Sequence, residues 1–439
     1  MKHSFLIIIL FSWLGYYSSY SQTVEEVDYY ANLENDAVHR YMEEVVYEPN
    51  GASVIDDYRN DGTNRKDWPN YVAMTIDNNN IDSVFIICYN EERLKDSLKF
   101  RVPVNNSKIE LYNLIPNRTY LYKIFYDGQL LQQGKIKTEG KLRMIKIPGN
   151  VSNIRDLGGW RTIDNKIIKY GRIIRGTELN GKHSVTEEGI RILRELGIKA
   201  ELDLRAYYNE GNNVSVFGFL DENSIPLGDV PTYYYTNDSG QLPEDLDNFN
   251  SLYRWRKAFK FIVNNLSEGR AIYEHCVYGK DRTGYLSFLL EGLLGVPYSD
   301  LIKDYELTYF YNKKESTKSS IDEALEYIYQ QEGETLRDKF NSFFINKISV
   351  SQNDIDDFRN EMLYDPNSNI IPFLDKGDAN DDGEVDAKDI VDIVNHTMGK
   401  QTSTGKFNEK EADTNGDGVV TIADIVQIVK YLMIMYGMM

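Results

Sequence analysis

The sequence predicts a multidomain chain in which a β-sandwich, an α/β unit and a small α-helical module follow one another. Three observations predict it. From Trp68 to about Glu139 the chain runs in short alternating segments (YVAMTI, SVFIICY, SLKFRVPV, SKIELYNL, TYLYKIFYDG, LLQQGKIKT) broken by Asn, Asp, Gly and Pro, the pattern of sandwich strands. Between residues 148 and 364, strand-like and helical segments alternate, as in an α/β layout. The tail repeats itself: DANDDGEVDAKDIVDIV from Asp378 returns as DTNGDGVVTIADIVQIV from Asp413. At 439 residues several cores are expected, because single cores stop growing well before this length.

The composition, 41% hydrophobic and 27% charged, is that of a folded chain. A formal net charge of -19 opposes nucleic acid and anionic lipid, both of which require a basic surface, so neither is expected as a partner. An anionic substrate would need a locally positive pocket. Residues 1–21, MKHSFLIIILFSWLGYYSSYS, combine a cationic start at Lys2, an apolar run from Phe5 to Leu14 and small residues Ser18, Ser19 and Ser21. That is the form of a cleaved signal peptide, and the run is too short to cross a bilayer. Export to the periplasm or the exterior is expected, with no membrane span. With only Cys88 and Cys276 present, a disulfide framework is excluded. Cys88 lies in the apolar run VFIICYN and reads as a core thiol.

Residues 22–67 are acidic and Tyr-rich, with helix-compatible stretches, and their role is not legible. The sandwich is assigned to 68–147. Within it, LYNLIPNRTYLYKIF resembles the corner before a late strand of fibronectin type III domains; the resemblance makes Leu114, Pro116 and Tyr120 structural, with the Tyr120 hydroxyl tying down the loop. In the α/β unit, assigned to 148–364, TEEGIRILRELGI (186–198) has the apolar spacing of an amphipathic helix. AELDLR and YYYTND read as strands ending in polar residues, 248–266 as a helix, AIYEHC as a buried strand and YLSFLLEGLL as the helix after it. Ligands of such sheets bind beyond the carboxyl ends of the strands.

The segment HCVYGKDRTG, residues 275–284, carries the chemistry. A buried strand ends at His275, Gly279 allows a sharp bend, and a long apolar helix starts after Thr283 and Gly284. Strand, tight loop and helix N-terminus together aim backbone N–H groups and a positive dipole end at one point, which suits an anion. The same field favours thiolate, so Cys276 is the candidate nucleophile. Arg282 offers a planar fork for two phosphoryl oxygens, and the Thr283 hydroxyl can donate to the sulfur as it leaves. His275 reads as an orienting residue.

This loop resembles the phosphate-binding loop of cysteine-dependent protein tyrosine phosphatases, above all the bacterial tyrosine and dual-specificity branch with Lys-Asp before the Arg. NIRDLGGW (153–160), GRIIRGTEL (171–179) and ELDLR (201–205) resemble further motifs of that family, with Thr177 where many relatives carry Ser. The resemblance implies an α/β cysteine-phosphatase fold, phosphoryl transfer to Cys276 through a cysteinyl phosphate, and no cofactor for catalysis. It implies phosphate binding by Val277, Tyr278, Gly279, Lys280, Asp281 and Arg282. Two residues compete as general acid: Asp281 inside the loop, which is preferred, and Asp238 after the strand YYYTND. Asp156 and Asp203 read as structural ties to neighbouring turns. The expected substrate is a phosphotyrosine protein, with phosphoserine or phosphothreonine in second place. Lys280 adds a second cation and keeps a phosphoinositide or inositol phosphate substrate as the alternative. A phospho-ligand binding protein without turnover is the reading from another class, and the intact Cys276, Arg282 and Thr283 argue against it.

After a linker at 365–376, the repeated tail (377–437) places oxygen side chains at positions 1, 3, 5, 9 and 12 of two loops, with Gly at 6 and a carbonyl at 7. Hard oxygen donors in that order suit calcium. The candidate ligands are Asp378, Asn380, Asp382, Glu384, Asp386 and Asp389 in the first loop, and Asp413, Asn415, Asp417, Val419, Thr421 and Asp424 in the second, Glu384 and Val419 through their carbonyls. Asp at position 12 and the missing leading helix resemble dockerin type I modules. That implies two Ca2+ ions and a cohesin-like protein partner, although Ala387, Lys388, Ile422 and Ala423 lack the usual Ser/Thr recognition pair.

Overall fold

A computed structural model describes residues 24–59, 67–76, 81–90, 93–205, 215–217, 232–235, 249–312, 318–366, 377–382, 385–403, 405–414 and 419–435. The signal-peptide stretch, Asp238, Glu384, Asn415, Asp417 and most of the linker lie outside these residues.

The N-terminal half is rich in sheet. Strands Ser83–Asn90, Arg93–Pro103, Thr119–Tyr126 and Gln129–Glu139 form an antiparallel sheet, and Val72–Thr75 pairs with Lys108–Leu111 in a second. Alternation along Ser83–Asn90 turns Val84, Ile86 and Cys88 inward, onto a core with Val72, Leu111, Tyr122 and Ile136. Cys88 is fully buried, which pushes its thiol pKa up and makes it inert. The Tyr120 hydroxyl accepts from the Ile115 N–H at 3.0 Å, tying the loop as expected.

Residues 22–67, whose role is not legible in the sequence, contribute to both neighbouring units. Glu25–Glu26 and Tyr29–Asn32 pair in parallel with Gln129–Glu139 and complete the larger sheet. The chain then turns through helices Asp36–Glu44 and Ile55–Arg59, which pack on the α/β unit. The signal was masked because two- and four-residue strands show too little alternation to read.

The α/β unit is built on a five-stranded sheet in the order Thr232–Tyr235, Ile198–Asp203, Ala271–His275, Ile173–Gly176, Arg155–Asp156. The first four strands are mutually parallel and the last is antiparallel. Gly176 and Asp203 are both in register with His275, so the loops after three strands leave from one edge. Helix Glu187–Glu195, capped by Thr186, covers one face. Helices Phe249–Ser267, Asp281–Leu294, Tyr298–Tyr311, Ser319–Tyr329, Leu336–Phe343 and Gln352–Met362 build the core on the other. Asp281–Leu294 is buried from Thr283 onward and ends at Gly295 in the left-handed region. Such a helix carries no amphipathic stripe because every side meets protein.

The tail holds helices Ala387–Thr397 and Ile422–Met435 around Ala379, Ile393, Ala412 and Ile428. No helix among the described residues is long and apolar enough to cross a membrane.

Candidate active site

The loop 276–282 leaves the central strand where three carboxyl ends meet, and its backbone orientation is fixed peptide by peptide. The Cys276 carbonyl faces His275 Nδ1 at 3.1 Å, and the Val277 carbonyl accepts from the Glu178 N–H at 3.2 Å. Asn153 Nδ2 donates to the Tyr278 carbonyl at 3.2 Å and to the Gly279 carbonyl at 3.0 Å, and Arg175 Nη2 donates to the Gly279 carbonyl at 3.1 Å. A planar trans peptide sets the N–H opposite its carbonyl. With all four carbonyls held from outside, the N–H groups of Val277, Tyr278, Gly279 and Lys280 are turned the other way, toward the inside of the loop. That is an anion cradle.

Gly279 is required by this geometry. Its φ is +62°, and a Cβ there would stand 2.3 Å from the Gly176 carbonyl oxygen. Helix Asp281–Leu294 then begins, with the Gly284 N–H donating to the Lys280 carbonyl at 2.8 Å and its positive end toward the cradle. Cys276 is buried at the root of the loop and in no disulfide.

The other expected site residues fall as follows. One arm of Arg282 is anchored, Nη1 donating to the Leu204 carbonyl at 2.7 Å. Lys280 is largely buried and its ammonium lies 3.5 Å from Asp281 Oδ1, on a carboxylate that is part-exposed at the mouth of the loop. Tyr278 bonds Lys182 through its hydroxyl, and the same ammonium lies over its ring at 4.7 Å. Thr283 is fully buried, and its hydroxyl makes no hydrogen bond among the described residues.

His275 orients, as expected. It is fully buried, with Nε2 at 2.9 Å from Glu201 Oε1 and Nδ1 facing the Cys276 carbonyl. A carbonyl accepts only, so Nδ1 carries a proton, and the carboxylate at Nε2 favours a second one. Burial opposes that charge, but Asp203 and Glu201 outweigh it and raise the His275 pKa. Asp156 and Asp203 tie turns: Asp156 accepts from Gly158 N at 2.9 Å and Gly171 N at 2.7 Å, and Asp203 accepts from Arg205 N at 2.9 Å.

Beneath the loop lies a buried charge cluster that sequence reasoning missed. Asp304, on helix Tyr298–Tyr311, accepts from Arg155 Nε at 3.0 Å and Arg175 Nη1 at 2.6 Å. Burial pushes its carboxyl up, but the two guanidinium groups prevail and hold it below the ordinary value. Glu274 and Glu291 are also fully buried nearby; burial raises Glu274 to about 7 and pushes Glu291 well above the ordinary carboxyl value. Arg155 and Arg175 stand in the motifs NIRDLGGW and GRIIRGTEL, whereas nothing around Asp304 singles it out.

In the tail, Asp378 Oδ1 and Asn380 Oδ1 both accept from Asp382 N, at 3.0 and 2.9 Å. Asp389 accepts from Asn380 N at 3.2 Å and Asp386 N at 2.8 Å, so its two oxygens close the loop. The Lys388 ammonium sits 3.0 Å from Asp386 and 3.6 Å from Asp382, a cation held by these carboxylates. In the second loop Asp424 Oδ2 accepts from Thr421 N at 2.7 Å. The donor set is all oxygen and fits calcium, although among the described residues no group of three or more acidic, His or Cys side chains is gathered closely enough to hold an ion. Asp378, Asp386, Asp389 and Asp424 each accept from N–H groups of their own loop.

Comparison with known proteins agrees with this architecture. Residues 146–364 match the model of the tyrosine phosphatase family, and residues 376–433 match that of the dockerin type I domain. A protein of Cupriavidus necator named as a tyrosine-protein phosphatase is 25% identical over 166 residues, covering 35% of this chain and 59% of that protein. The triple specificity protein phosphatase of Mycobacterium tuberculosis is 31% identical over 101 residues, 23% of this chain and 33% of the relative. The chain thus spans less than two thirds of either relative. It carries a tyrosine phosphatase family domain over residues 146–364, joined to a dockerin type I domain over residues 376–433.

Proposed function

We propose that this protein is an exported phosphomonoesterase that removes phosphate from phosphotyrosine proteins through a cysteinyl-phosphate intermediate. The single observation that supports this best is the 276–279 backbone, whose four carbonyls are each engaged from outside the loop, leaving the N–H groups that follow them to receive a phosphoryl group.

Cys276 Sγ attacks phosphorus, and the bond from phosphorus to the leaving oxygen breaks. The loop N–H groups and Arg282 take the charge on the equatorial oxygens, preorganised because their partners already fix them. Asp281 protonates the leaving oxygen. Water then attacks phosphorus, the P–S bond breaks, and Asp281 takes the water proton, which regenerates thiolate and releases phosphate. Asp238, which lies outside the described residues, is the competing acid, because in the sequence it comes three residues after the strand Thr232–Tyr235, whose end pairs with Asp203. No cofactor enters this chemistry.

A second reading, an inositol phosphate or phosphoinositide substrate, is favoured by two ammonium groups at the loop, Lys280 within it and Lys182 on Tyr278. The tail is proposed to take two Ca2+ ions and to dock onto a cohesin-like partner outside the cytoplasm, consistent with dockerin domains being extracellular modules. The test is phosphate release by the reduced protein from phosphotyrosine and phosphoserine peptides, phosphoinositides and inositol hexakisphosphate, with Cys276→Ser as control. Turnover on phosphotyrosine that the variant abolishes is the expected result. Preference for inositol phosphates moves the assignment to the second reading. No turnover by folded protein with a confirmed thiol sinks both.

A further inference from the structure

The catalytic loop is held by a chain of contacts that ends outside the phosphatase domain. Asn153, which donates to the Tyr278 and Gly279 carbonyls, has φ +54°, a conformation that non-Gly residues adopt at a cost. Two groups hold it there. Arg155 Nη1 donates to Asn153 Oδ1 at 2.7 Å, which fixes which end of the amide faces the loop. Asp67 Oδ2 accepts from the Asn153 N–H at 3.0 Å, which fixes its backbone. Both Asn153 and Asp67 are buried.

Asp67 is itself well anchored. The neighbouring Trp68 carbonyl accepts from Asn35 Nδ2 at 2.8 Å, and Asn70 donates from its backbone to Leu33 and from its side chain to Asn32, each at 3.0 Å. The helices between are fastened to the phosphatase domain: Tyr41 donates to Glu306 Oε2 at 2.9 Å, Lys303 to the Met42 carbonyl at 3.0 Å and Tyr309 to Asp56 Oδ1 at 2.7 Å. Residues 24–59 and 67–76 therefore frame a carboxylate at the back of the loop.

We infer that Asp67, which lies outside the phosphatase family domain, is a positioning residue for the catalytic loop, acting through Asn153 on the peptides that form the anion cradle. A charged acceptor is suited to this because it bonds more strongly than a neutral one and leaves the Asn153 N–H satisfied in a buried place. The inference rests on the phosphatase reading of the loop. It makes residues before 146 part of the working catalytic unit rather than a spacer.

The test uses the full chain and two readouts: kcat/KM on an aryl phosphate, and affinity for inorganic phosphate by calorimetry, which needs no turnover. Asp67→Ala is expected to lower both by about tenfold or more, because small displacements of positioned groups are costly. Asp67→Asn, which keeps an acceptor, should retain most of each. In a double-mutant cycle with Asn153→Gly, which removes the amide and tolerates the positive φ, the two changes should not add. If Asp67→Ala does not fold, Asp67→Ser, whose hydroxyl falls short of the Asn153 N–H, carries the same comparison. Phosphate affinity and kcat/KM within twofold of wild type, or full additivity in the cycle, would overturn the inference while leaving the phosphatase reading intact. Wild-type protein that binds phosphate without turnover, with binding weakened in Asp67→Ala, would overturn the phosphatase reading and keep the role of Asp67. A wild-type protein that binds no phosphate would overturn both.

Discussion

Arg175 and Asp304 form a fully buried ion pair, 2.6 Å between Nη1 and Oδ2, directly behind the catalytic loop, and the other arm of Arg175 reaches the Gly279 carbonyl. The carboxylate also carries Arg155, so one acid on helix Tyr298–Tyr311 holds both arginines that brace the loop.

Replacing Asp304 by Ala should therefore be severe. It strands two guanidinium groups in the interior, and breaking a buried pair from one side costs about 3–5 kcal/mol. Denaturant unfolding should show the midpoint falling by a corresponding amount with an unchanged slope. A loss under 1 kcal/mol would mean that water reaches the arginines and that the pair is not a structural support.

Gly279→Ala separates loop shape from loop chemistry. The residue needs φ +62° and leaves no room for a Cβ beside the Gly176 carbonyl. Left-handed backbone alone costs roughly 1–2 kcal/mol for an L-residue, and the clash must also shift one of the two strand-end turns. Activity on an aryl phosphate should drop at least tenfold with the far-UV spectrum unchanged. Near-normal turnover would show that the cradle tolerates a different path.

The catalytic loop was legible in the sequence because it is contiguous: strand end, cysteine, glycine, arginine and helix start fall within ten residues. The calcium-type loops were legible for the same reason. What supports the loop was not. Asn153, the Arg175 and Glu178 pair, and Asp304 come from three separate places, and only the fold puts them together. Residues 24–59 hid because the segment divides its loyalty, lending strands to one unit and helices to another.

Glu274 links stability to pH. It is fully buried on the central strand, and burial raises its pKa from 4.5 to about 7 against the pull of Arg175 and the Ser287 hydroxyl. A carboxyl whose folded pKa exceeds its unfolded value binds its proton more tightly when folded. Its stabilising effect is thus complete below about 4.5 and is lost as pH rises to about 7. Glu274→Gln keeps the acceptor for Ser287 and removes the charge. The variant should match wild type near pH 4.5 and exceed it at pH 8, by roughly 3 kcal/mol if the whole rise is realised. Equal stability of the two proteins at pH 8 would place the charge in a wetter setting than the burial indicates.

Chelation should act on the tail alone. Its buried core is small, with Ala379, Ile393, Ala412 and Ile428 fully enclosed, too little apolar surface to hold helices Ala387–Thr397 and Ile422–Met435 firmly without help. In the first loop the Lys388 ammonium lies on Asp382 and Asp386, and being exposed it can swing aside for a doubly charged ion. Calcium binding and folding of the tail should then be coupled. Adding a chelator should lose helix signal and a low-temperature unfolding transition, both restored by calcium, while the transition of the phosphatase domain stays in place. Asp389→Ala and Asp424→Ala should each weaken the calcium response, because these two acids close their loops through Asp386 N and Thr421 N. A tail transition indifferent to chelator and to both substitutions would show that the loops close on their own hydrogen bonds, with the metal contributing nothing to the fold.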